Sequence, residues 1–376
     1  MSIVLITGLG KLIIWLLRLL PGNRGSALPG LVATSLDPNF VGKLAEKNRL
    51  KSVIITGTNG KTTTAYLLGN VLKLGNVGFI RNSTGSNLLR GVASKLIEQT
   101  SLFGILPVKL AIWEIDEAVV PEAIKQLKPE IVLITNLSRD QLDRYGELNT
   151  VLSRWQQSFA RLPKKAKVII NAADPRLRVL KWPKLITFGK SHLKSGRLFP
   201  PHLSGKFNYD SIWAVTILCQ ELKVKVKSIT NIAKKLPPPF GRGESFVING
   251  EKYQLNLVKN PSSFNTVWQM LQGKGIFQQP LLIRLNDLLA DGTDVSWIWD
   301  VNFTGLEKRQ APVIVSGTRA FDLALRLKYA GLNPKLIRVK PEIKPALKLL
   351  KKQKSSKKYL LATYTAMREL RRLIAK

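Results

Sequence analysis

The chain has very little of the two residue types that most often build zinc and redox sites. Its 376 residues include one cysteine, Cys219, and two histidines, His192 and His202. One cysteine cannot form an intramolecular disulfide or a thiolate zinc cluster, and two histidines cannot close a tetrahedral zinc site. We therefore predict no structural zinc. Cysteine scarcity also fits a reducing compartment, and Cys219 lies in an apolar helical run typical of a core position.

Acidic residues are also scarce. The 24 Asp and Glu residues face 59 Lys and Arg residues, which gives a formal net charge of +35. Such a field attracts polyanions or an anionic membrane surface. The densest basic stretch, Lys348–Lys358, lacks the interleaved aromatic residues of a groove that binds single-stranded nucleic acid. We favour the membrane over nucleic acid, and a merely solvated basic surface remains an alternative.

No uninterrupted hydrophobic run of membrane-spanning length opens the chain. The first twenty residues are mostly apolar, but Lys11 and Arg18 interrupt them, and they lack a basic start and a small-residue cleavage site. We therefore do not predict a signal peptide. On a helix, Lys11 and Arg18 share one face between apolar flanks that include Trp15, a pattern typical of an interfacial membrane helix. Burial of this helix against the rest of the protein is the alternative, and both stay open here.

The remaining composition is that of a globular protein with more than one domain. Hydrophobic residues make up 45% and charged residues 22% of the chain. Strand-like runs alternate with helical patterns in the first half, which predicts a mostly parallel sheet covered by helices. These runs are Ser52–Thr56, Leu110–Ile115, Ile131–Thr135 and Val168–Asn171. Ligands of such sheets bind at the carboxyl ends of the strands.

Two turn-rich segments divide the chain. Pro21–Gly30 follows the apolar start, and Leu236–Glu244 contains three consecutive prolines that end a helix. We predict an N-terminal apolar segment and linker over residues 1–50, a central α/β domain over 51–236 and a smaller α/β domain over 237–376. The last of these has predicted strands at Gln254–Val258, Leu281–Leu285 and Pro312–Val315 and a helix at Arg319–Ala330.

A phosphate-binding loop is the strongest local motif. Apolar residues precede the turn "GTNGKT", and an amphipathic helical pattern follows it. Gly57 and Gly60 allow backbone N–H groups to approach an anion, Lys61 adds a positive charge, and the Thr62 hydroxyl is placed to bind Mg²⁺. The loop is two residues shorter than a Walker A loop. A glycine-rich turn with a solvated lysine is the alternative, which the matching flanks disfavour.

Acidic residues follow two of the predicted strands. Because the carboxyl ends of parallel strands share one edge, their oxygens are placed to complete the shell of a phosphate-bound Mg²⁺. Helix capping is the alternative for Asp116 and Asp140. Glu114 ends an apolar strand, where an unpaired carboxylate would be costly. The two segments contain Glu114, Asp116 and Glu117, and Asn136, Asp140 and Asp143.

The chain resembles the Mur ligase superfamily, whose members join an ATP-activated carboxylate to an amine. The resemblance is carried by six segments in order: "GTNGKTTT", "EIDEA", "ITNLSRDQLDRYGE", "NAADP", "GKFNYDSIWAV" and "FGRGE". Within the superfamily it is most similar to the MurT family, through "LVKNPSSFN", "LNDLLADGTDVSWIWD", "VSGTRAFDLALRLKYAG" and "TYTAM". This likeness implies a central P-loop ATP-binding domain with a parallel sheet and a smaller α/β C-terminal domain.

The resemblance also implies roles for single residues. Lys61 and Thr62 would hold the β- and γ-phosphates of ATP and Mg²⁺, with Glu114 as a second metal ligand. Asn208 would contact adenine, and Arg242 would contact the nucleotide. Gln141 stands where the amino-acid-adding ligases keep a histidine metal ligand. The implied ATP-binding loop consists of Gly57, Thr58, Asn59, Gly60, Lys61, Thr62 and Thr63.

A partner is implied as well. MurT proteins act with the glutaminase GatD, and the pair amidates the D-glutamate of lipid II to D-isoglutamine through an acyl phosphate. Asp294 would complete a catalytic triad with the cysteine and histidine of that partner and thereby serve as a catalytic residue alongside Lys61. Asp291 and Asp300 are competing candidates, and a simple turn-capping role is the alternative for Asp294. The implied location is cytoplasmic, at the inner face of the cell membrane.

One departure from these relatives concerns zinc. They usually carry a four-cysteine ribbon between the equivalents of Pro175 and Gly205, an interval without cysteine here. Two other functions stay open from sequence. One is an amino-acid-adding ligase of the muramyl-peptide or folylpolyglutamate type; the other is a non-catalytic, nucleotide-dependent binder of membrane or nucleic acid.

Overall fold

The structure, a computed structural model, describes residues 2–19, 27–82, 87–138, 148–189, 206–225, 228–237 and 241–374, with only the backbone of 206–209. The chain divides into two compact units. The first holds the strands as far as Leu185–Phe188, and the second holds the strands from Arg242–Ile248 onward.

The first unit is built on a six-stranded parallel sheet. Its spatial order is β2-β3-β1-β4-β5-β6, so the strand before the predicted phosphate loop is central. Val53, Ile54 and Ile55 on this strand are all buried, as expected for a parallel strand covered on both faces. The predicted α/β fold is confirmed. The strands are β1 Lys51–Thr56, β2 Ile80–Arg81, β3 Leu110–Glu114, β4 Ile131–Ile134, β5 Lys167–Asn171 and β6 Leu185–Phe188.

Helices of the first unit alternate with these strands. They are α1 Ile3–Leu19, α2 Leu28–Leu36, α3 Phe40–Lys47, α4 Lys61–Leu74, α5 Leu89–Gln99, α6 Val120–Leu127, α7 Leu148–Phe159, α8 Lys206–Glu221 and α9 Ile229–Lys235. Helix α4 begins directly at Lys61. The chain therefore passes from central strand to tight loop to helix, as the motif predicts.

Helix α1 buries one side against the protein and exposes the other, so its placement against a membrane stays a prediction. Ile6, Thr7 and Gly10 on one side are buried, and an alanine Cβ at Gly10 would lie within 2.8 Å of Ile97, which shows how closely α1 packs on α5. The other side is exposed, at Val4, Leu5, Leu9, Leu12, Trp15, Leu16 and Leu19. Among the described residues, no helix has both the length and the apolar character needed to cross a bilayer.

The second unit has a six-stranded sheet of its own, in the order β11-β10-β9-β12-β8-β7. Its described strand pairs are parallel except β7 with β8, which are antiparallel. The strands are β7 Arg242–Ile248, β8 Glu251–Leu257, β9 Leu281–Arg284, β10 Val313–Ser316, β11 Ile337–Val339 and β12 Lys357–Ala362. The helices are α10 Pro261–Gln272, α11 Ala320–Tyr329, α12 Ile343–Lys352 and α13 Tyr364–Ile374.

This second sheet separates two hydrophobic cores. Leu281 and Ile283 face a core that includes Trp268 of α10 and Leu327 of α11, whereas Leu282 faces the opposite core. That opposite core contains residues of α12 and α13. The alternation follows from the two-residue period of a strand.

The lysine-rich stretch is ordered secondary structure and not a basic tail. It comprises the end of α12, a turn and the start of β12. Lys358 is fully buried, and its ammonium group donates to Glu251 at 2.6 Å and to the Lys351 carbonyl at 3.1 Å. Hence this lysine stabilises the fold and does not add to the accessible basic surface.

We predict that the single thiol is unreactive in the folded protein. Burial in α8 raises the pKa of Cys219 to about 11. At pH 8 a thiol with a pKa two units above the ordinary value is roughly a hundredfold less ionised, and the thiolate is the reactive form. Reaction with a colorimetric disulfide reagent should therefore be slow in buffer and complete rapidly in denaturant. Equal rates in both conditions would contradict this core assignment.

Candidate active site

The predicted phosphate loop is fastened to the end of the neighbouring strand β4. The Thr58 N–H donates to the Asn136 carbonyl at 2.9 Å, and the Asn59 N–H donates to the Asn136 side-chain oxygen at 3.0 Å. In return, the Thr135 hydroxyl and the Asn136 amide donate to the Asn59 carbonyl at 2.7 and 2.8 Å. These four bonds fix the position of the loop relative to the end of β4.

Two glycines make this conformation possible. Gly57 has φ +119°, and a Cβ there would lie 2.4 Å from the Thr135 hydroxyl and 2.5 Å from the Asn136 carbonyl oxygen. Gly60 has φ +91° and is the N-cap of α4, so no side chain caps this helix. The first N–H groups of α4 are therefore the donors that a phosphate would use, aided by the helix dipole.

Lys61 lies in an acidic and buried environment. Its ammonium group donates to the Gly57 carbonyl at 2.6 Å and to the Glu117 carboxylate at 2.9 Å, and Asp116 is 3.4 Å away. Lys61 and Glu117 are both about 5% exposed. The alternative of a solvated lysine on a glycine-rich turn is therefore wrong. Likewise, the carboxylate of Asp116 makes no capping bond and instead faces this lysine.

The two predicted magnesium ligands are brought together. The Thr62 hydroxyl donates to the Glu114 carboxylate at 2.9 Å. Asn82 fixes the end of β3, since its amide donates to the Glu114 carbonyl and its oxygen accepts from the Glu114 N–H, both at 2.8 Å. Nearby, burial lowers the pKa of Arg81, while the charge of Glu114 acts in the opposite direction.

These residues fit Mg²⁺ held together with a nucleotide. A hydroxyl and a carboxylate at one point supply hard oxygen ligands, and nucleotide-bound Mg²⁺ typically takes only one or two protein ligands. Within the described part of the chain, no group of three or more His, Cys, Asp or Glu side chains is arranged to hold a metal. His192 and His202 lie outside the described residues, so the absence of structural zinc stays a prediction.

The Lys61–Glu117 ion pair leads to a prediction about nucleotide-linked stability. Replacing Glu117 with glutamine leaves a buried ammonium group short of a carboxylate, which we expect to lower the free energy of unfolding by about 3–5 kcal/mol. Phosphate would supply the missing negative charge. Saturating ATP should therefore raise the melting temperature of Glu117→Gln more than that of the parent protein.

The matched control is Glu98→Gln, because Glu98 pairs with Lys95 at the surface at 2.8 Å. We expect this substitution to leave both melting temperatures nearly unchanged. A smaller ATP-induced stabilisation in Glu117→Gln than in the parent would contradict the prediction.

Helix α8 packs beside the loop and carries further polar contacts. The Thr64 hydroxyl of α4 donates to Ser211 at 3.0 Å, and Asn171 at the end of β5 donates to Asp210 at 2.9 Å. Asn208 lies in the first turn of this helix, but its side chain is outside the described residues. Asp140, Gln141 and Asp143 are outside them too. Their predicted roles therefore stay predictions.

Arg242 is the first residue of β7, in the second unit. It stands between Gly241 and Gly243, which both have positive φ, and the register of β7 against β8 is irregular there. Such bulges bend a strand and re-aim a side chain. The carboxylate of Glu244 accepts from Arg371 at 3.0 Å. This geometry accounts for the glycines in "FGRGE"; contact of Arg242 with nucleotide remains a prediction.

The three candidate aspartates of the second unit differ in environment. Asp291 is buried, and burial raises its pKa, whereas bonds from Thr365 act in the opposite direction. The carboxylate of Asp291 accepts hydrogen bonds from both the N–H and the hydroxyl of Thr365. It therefore stabilises the start of α13. Asp294 is partly exposed and accepts from the Ser296 N–H at 2.8 Å, a capping bond. Asp300 is exposed.

A polar network joins the carboxyl ends of the strands in the second sheet, and sequence patterns did not predict it. Asn286 after β9 donates from its N–H to the Thr363 hydroxyl and from its amide to the Thr365 hydroxyl, both at 3.0 Å. Asp287 accepts from Thr318 and from Arg319 at 2.7 Å each. Three of the stretches that carry the MurT resemblance thus meet at one edge.

Comparison with known proteins agrees with this geometry. The family described as "Mur ligase middle domain" matches residues 55–233, and the family described as "MurT ligase C-terminal" matches residues 257–367. Among solved structures, MurF from Acinetobacter baumannii has a TM-score of 0.68 at 17% identity, covering 91% of this chain and 81% of that one. MurF from Thermotoga maritima, solved with ADP, has the same TM-score at 15% identity, with 91% and 82% covered. These likenesses show the fold.

Curated relatives that match most of the chain include MurT subunits. The subunit MurT of lipid II isoglutaminyl synthase from Staphylococcus aureus (strain COL) is 31% identical, covering 84% of this chain and 85% of that protein. The MurT subunit from Streptococcus pneumoniae (strain ATCC BAA-255 / R6) is 28% identical, with 94% and 93% covered. The chain therefore belongs to the MurT family of Mur-type ligases.

Proposed function

We propose that this chain is the ATP-dependent ligase subunit that amidates the α-carboxylate of D-glutamate in the stem peptide of lipid II. The product is D-isoglutamine. The observation that carries the proposal is the position of Lys61 and Thr62 at the end of the phosphate loop, where the Thr62 hydroxyl donates to Glu114 at the end of β3, in a chain related to MurT subunits over most of its length.

The chemistry follows from the weakness of a carboxylate as an electrophile. Transfer of the γ-phosphoryl group of ATP to a carboxylate oxygen gives an acyl phosphate, and attack by ammonia then forms the amide and releases phosphate. Lys61 and the N-terminus of α4 would orient the phosphates and neutralise the developing charge. Thr62 and Glu114 would hold Mg²⁺, which supplies further charge neutralisation when bound.

A glutaminase partner similar to GatD would supply the ammonia. Ammonia is largely protonated in neutral water, so its release close to the acyl phosphate is useful. Cys219, the single cysteine of this chain, is buried and has a raised pKa, which makes it unsuitable as the nucleophile of glutamine hydrolysis. We therefore assign that hydrolysis to the partner, with Asp294 orienting the partner's catalytic histidine.

Exposed apolar side chains near Asp294 support docking of a partner. Trp299 and Tyr329 have ring centroids 6.0 Å apart, and Phe321, Leu325 and Tyr329 recur every fourth residue along α11. All four side chains are exposed. Aromatic side chains at such spacing are enriched in protein interfaces.

We place the protein in the cytoplasm at the inner face of the cell membrane. ATP is available there, lipid II is anchored in the bilayer, and a net charge of +35 favours an anionic leaflet. Nucleic acid is not part of this proposal, because the densest basic stretch, Lys348–Lys358, forms part of α12 and β12 and lacks interleaved aromatic residues.

An amino-acid-adding ligase is less well supported. The UDP-N-acetylmuramate–L-alanine ligase of Bdellovibrio bacteriovorus is 26% identical but covers only 56% of this chain, whereas the MurT relatives extend through the C-terminal unit. The stretches specific to MurT lie in that unit.

The test is an incubation of the purified chain and its partner with lipid II, ATP and glutamine, followed by mass spectrometry. Replacement of one hydroxyl by an amino group in the stem peptide supports amidation. A mass increase by an amino-acid residue would instead identify an amino-acid-adding ligase. Absence of any ATP-dependent change would refute both.

A further inference from the structure

The exposed side of α1 continues onto a second apolar segment. Leu5, Leu12, Trp15 and Leu19 are between 50% and 64% exposed, and Leu102 and Phe103 are 59% and 71% exposed. We call these six residues the N-terminal apolar face. A Cβ at Gly104 would lie 3.1 Å from the side chain of Ile3, which places the segment beside the first turn of α1.

The protein holds this segment in place. The Asn48 amide donates to the Gly104 carbonyl at 2.9 Å, and the Lys47 ammonium group donates to the Phe103 carbonyl at 2.7 Å. Gly104 adopts φ +71°, the left-handed conformation that glycine tolerates best. Phe103 is therefore displayed on an ordered turn, although a phenyl ring of this size is usually buried.

The two segments that form the N-terminal apolar face contain basic but no acidic residues. No acidic residue precedes Asp37, and the segment from Ser101 to Lys109 has none. On the neighbouring helices, Glu46 and Glu98 are paired with Lys128 and Lys95. Lys11 and Arg18 lie on α1 at the edge of the exposed stripe, and Lys47 adjoins Phe103. Long basic side chains at such an edge can extend toward lipid phosphates while their stems cover apolar surface.

We propose that the N-terminal apolar face docks on an anionic lipid bilayer, with α1 lying in the plane of the interface. One side of α1 is packed on α5, so only the other side is available to lipid. Leucines, a tryptophan and a phenylalanine flanked by lysine and arginine side chains match a negatively charged, partly apolar surface. The idea that this bilayer also carries the substrate rests on the proposed function. The predicted affinity for anionic lipid is independent of that function.

A second copy of the chain is the rival occupant. Leu5, Leu12 and Leu19 are spaced by seven residues, a repeat that also suits pairing of two helices. Two parallel copies would bring the basic residues of α1 together without acidic partners. This charge repulsion favours lipid over a dimer.

The experiment measures binding of the full-length protein to vesicles by sedimentation, using phosphatidylcholine with and without phosphatidylglycerol. We expect binding to the anionic vesicles, with at least a tenfold loss in Leu12→Glu and in Phe103→Glu. Val247→Glu is the matched control, because Val247 is 73% exposed but lies on β7 of the second unit. It should bind as the parent does.

Three results would overturn the proposal: unchanged binding in both variants, equal binding to neutral vesicles, or a parent dimer that Leu12→Glu dissociates in the absence of vesicle binding. ATP affinity of each variant is measured without vesicles. Retained ATP affinity with lost vesicle binding supports the proposed surface. Vesicle binding without any lipid II amidation would refute the proposed function alone.

Discussion

Replacing Lys61 with methionine should lower the rate of ATP-dependent amidation by on the order of a thousandfold. The ammonium group is the one side-chain cation that the structure places against the loop carbonyl of Gly57 within the described residues. Without it, loop residues 57–63 contain no cationic side chain to neutralise the charge that develops on the transferred phosphoryl group. The measurement is the initial rate of ADP release in the presence of partner, ammonium and lipid II.

Loss of stability must be separated from loss of chemistry in this variant. Lys61→Met also leaves Glu117 and Asp116 without their cation, so the single variant is expected to unfold more easily. The double variant Lys61→Met/Glu117→Gln removes part of that buried charge and should recover stability but not activity. Recovery of both would show that Lys61 serves only the fold and would contradict its catalytic role.

Replacing Asp294 with asparagine should nearly abolish amidation with glutamine and spare amidation with ammonium salt. A triad carboxylate that orients a histidine is worth about a thousandfold or more, and asparagine cannot perform this task. Ammonium bypasses glutamine hydrolysis, so the Lys61 loop should work normally. The measurement compares the two amide-forming rates in one preparation.

Asp300→Asn is the matched control, since Asp300 is exposed six residues further along the same segment. We expect it to retain both activities. Loss of both activities in Asp294→Asn would identify a structural role, in line with its capping bond to Ser296. Retention of both would exclude Asp294 from the triad.

Local patterns predicted the phosphate loop because its determinants lie within a few residues of one another. Apolar residues of β1, the glycines with positive φ and the helix after Lys61 are contiguous in sequence. The same holds for the long apolar strands of both sheets. Such short-range patterns predict local structure without information about contacts with distant residues.

Other features depend on contacts between distant residues and were missed for that reason. Glu117 was recognised as an acid at a strand end, but its pairing with Lys61 depends on how β3 and β1 align. Strand β12 begins within a lysine-rich stretch, and burial of Lys358 depends on Glu251, more than a hundred residues earlier. A basic stretch does not indicate a buried strand unless the acidic residue that pairs with its lysine is known.

The most direct test of the account follows oxygen from substrate to phosphate. Lipid II carrying ¹⁸O at both oxygens of the D-glutamate α-carboxylate is incubated with the chain, its partner, ATP and glutamine, and the released phosphate is examined by mass spectrometry. Activation at the Lys61 loop predicts that one ¹⁸O atom appears in phosphate for each amide formed. Amide formation with unlabelled phosphate would show that the carboxylate is never phosphorylated and would contradict the account.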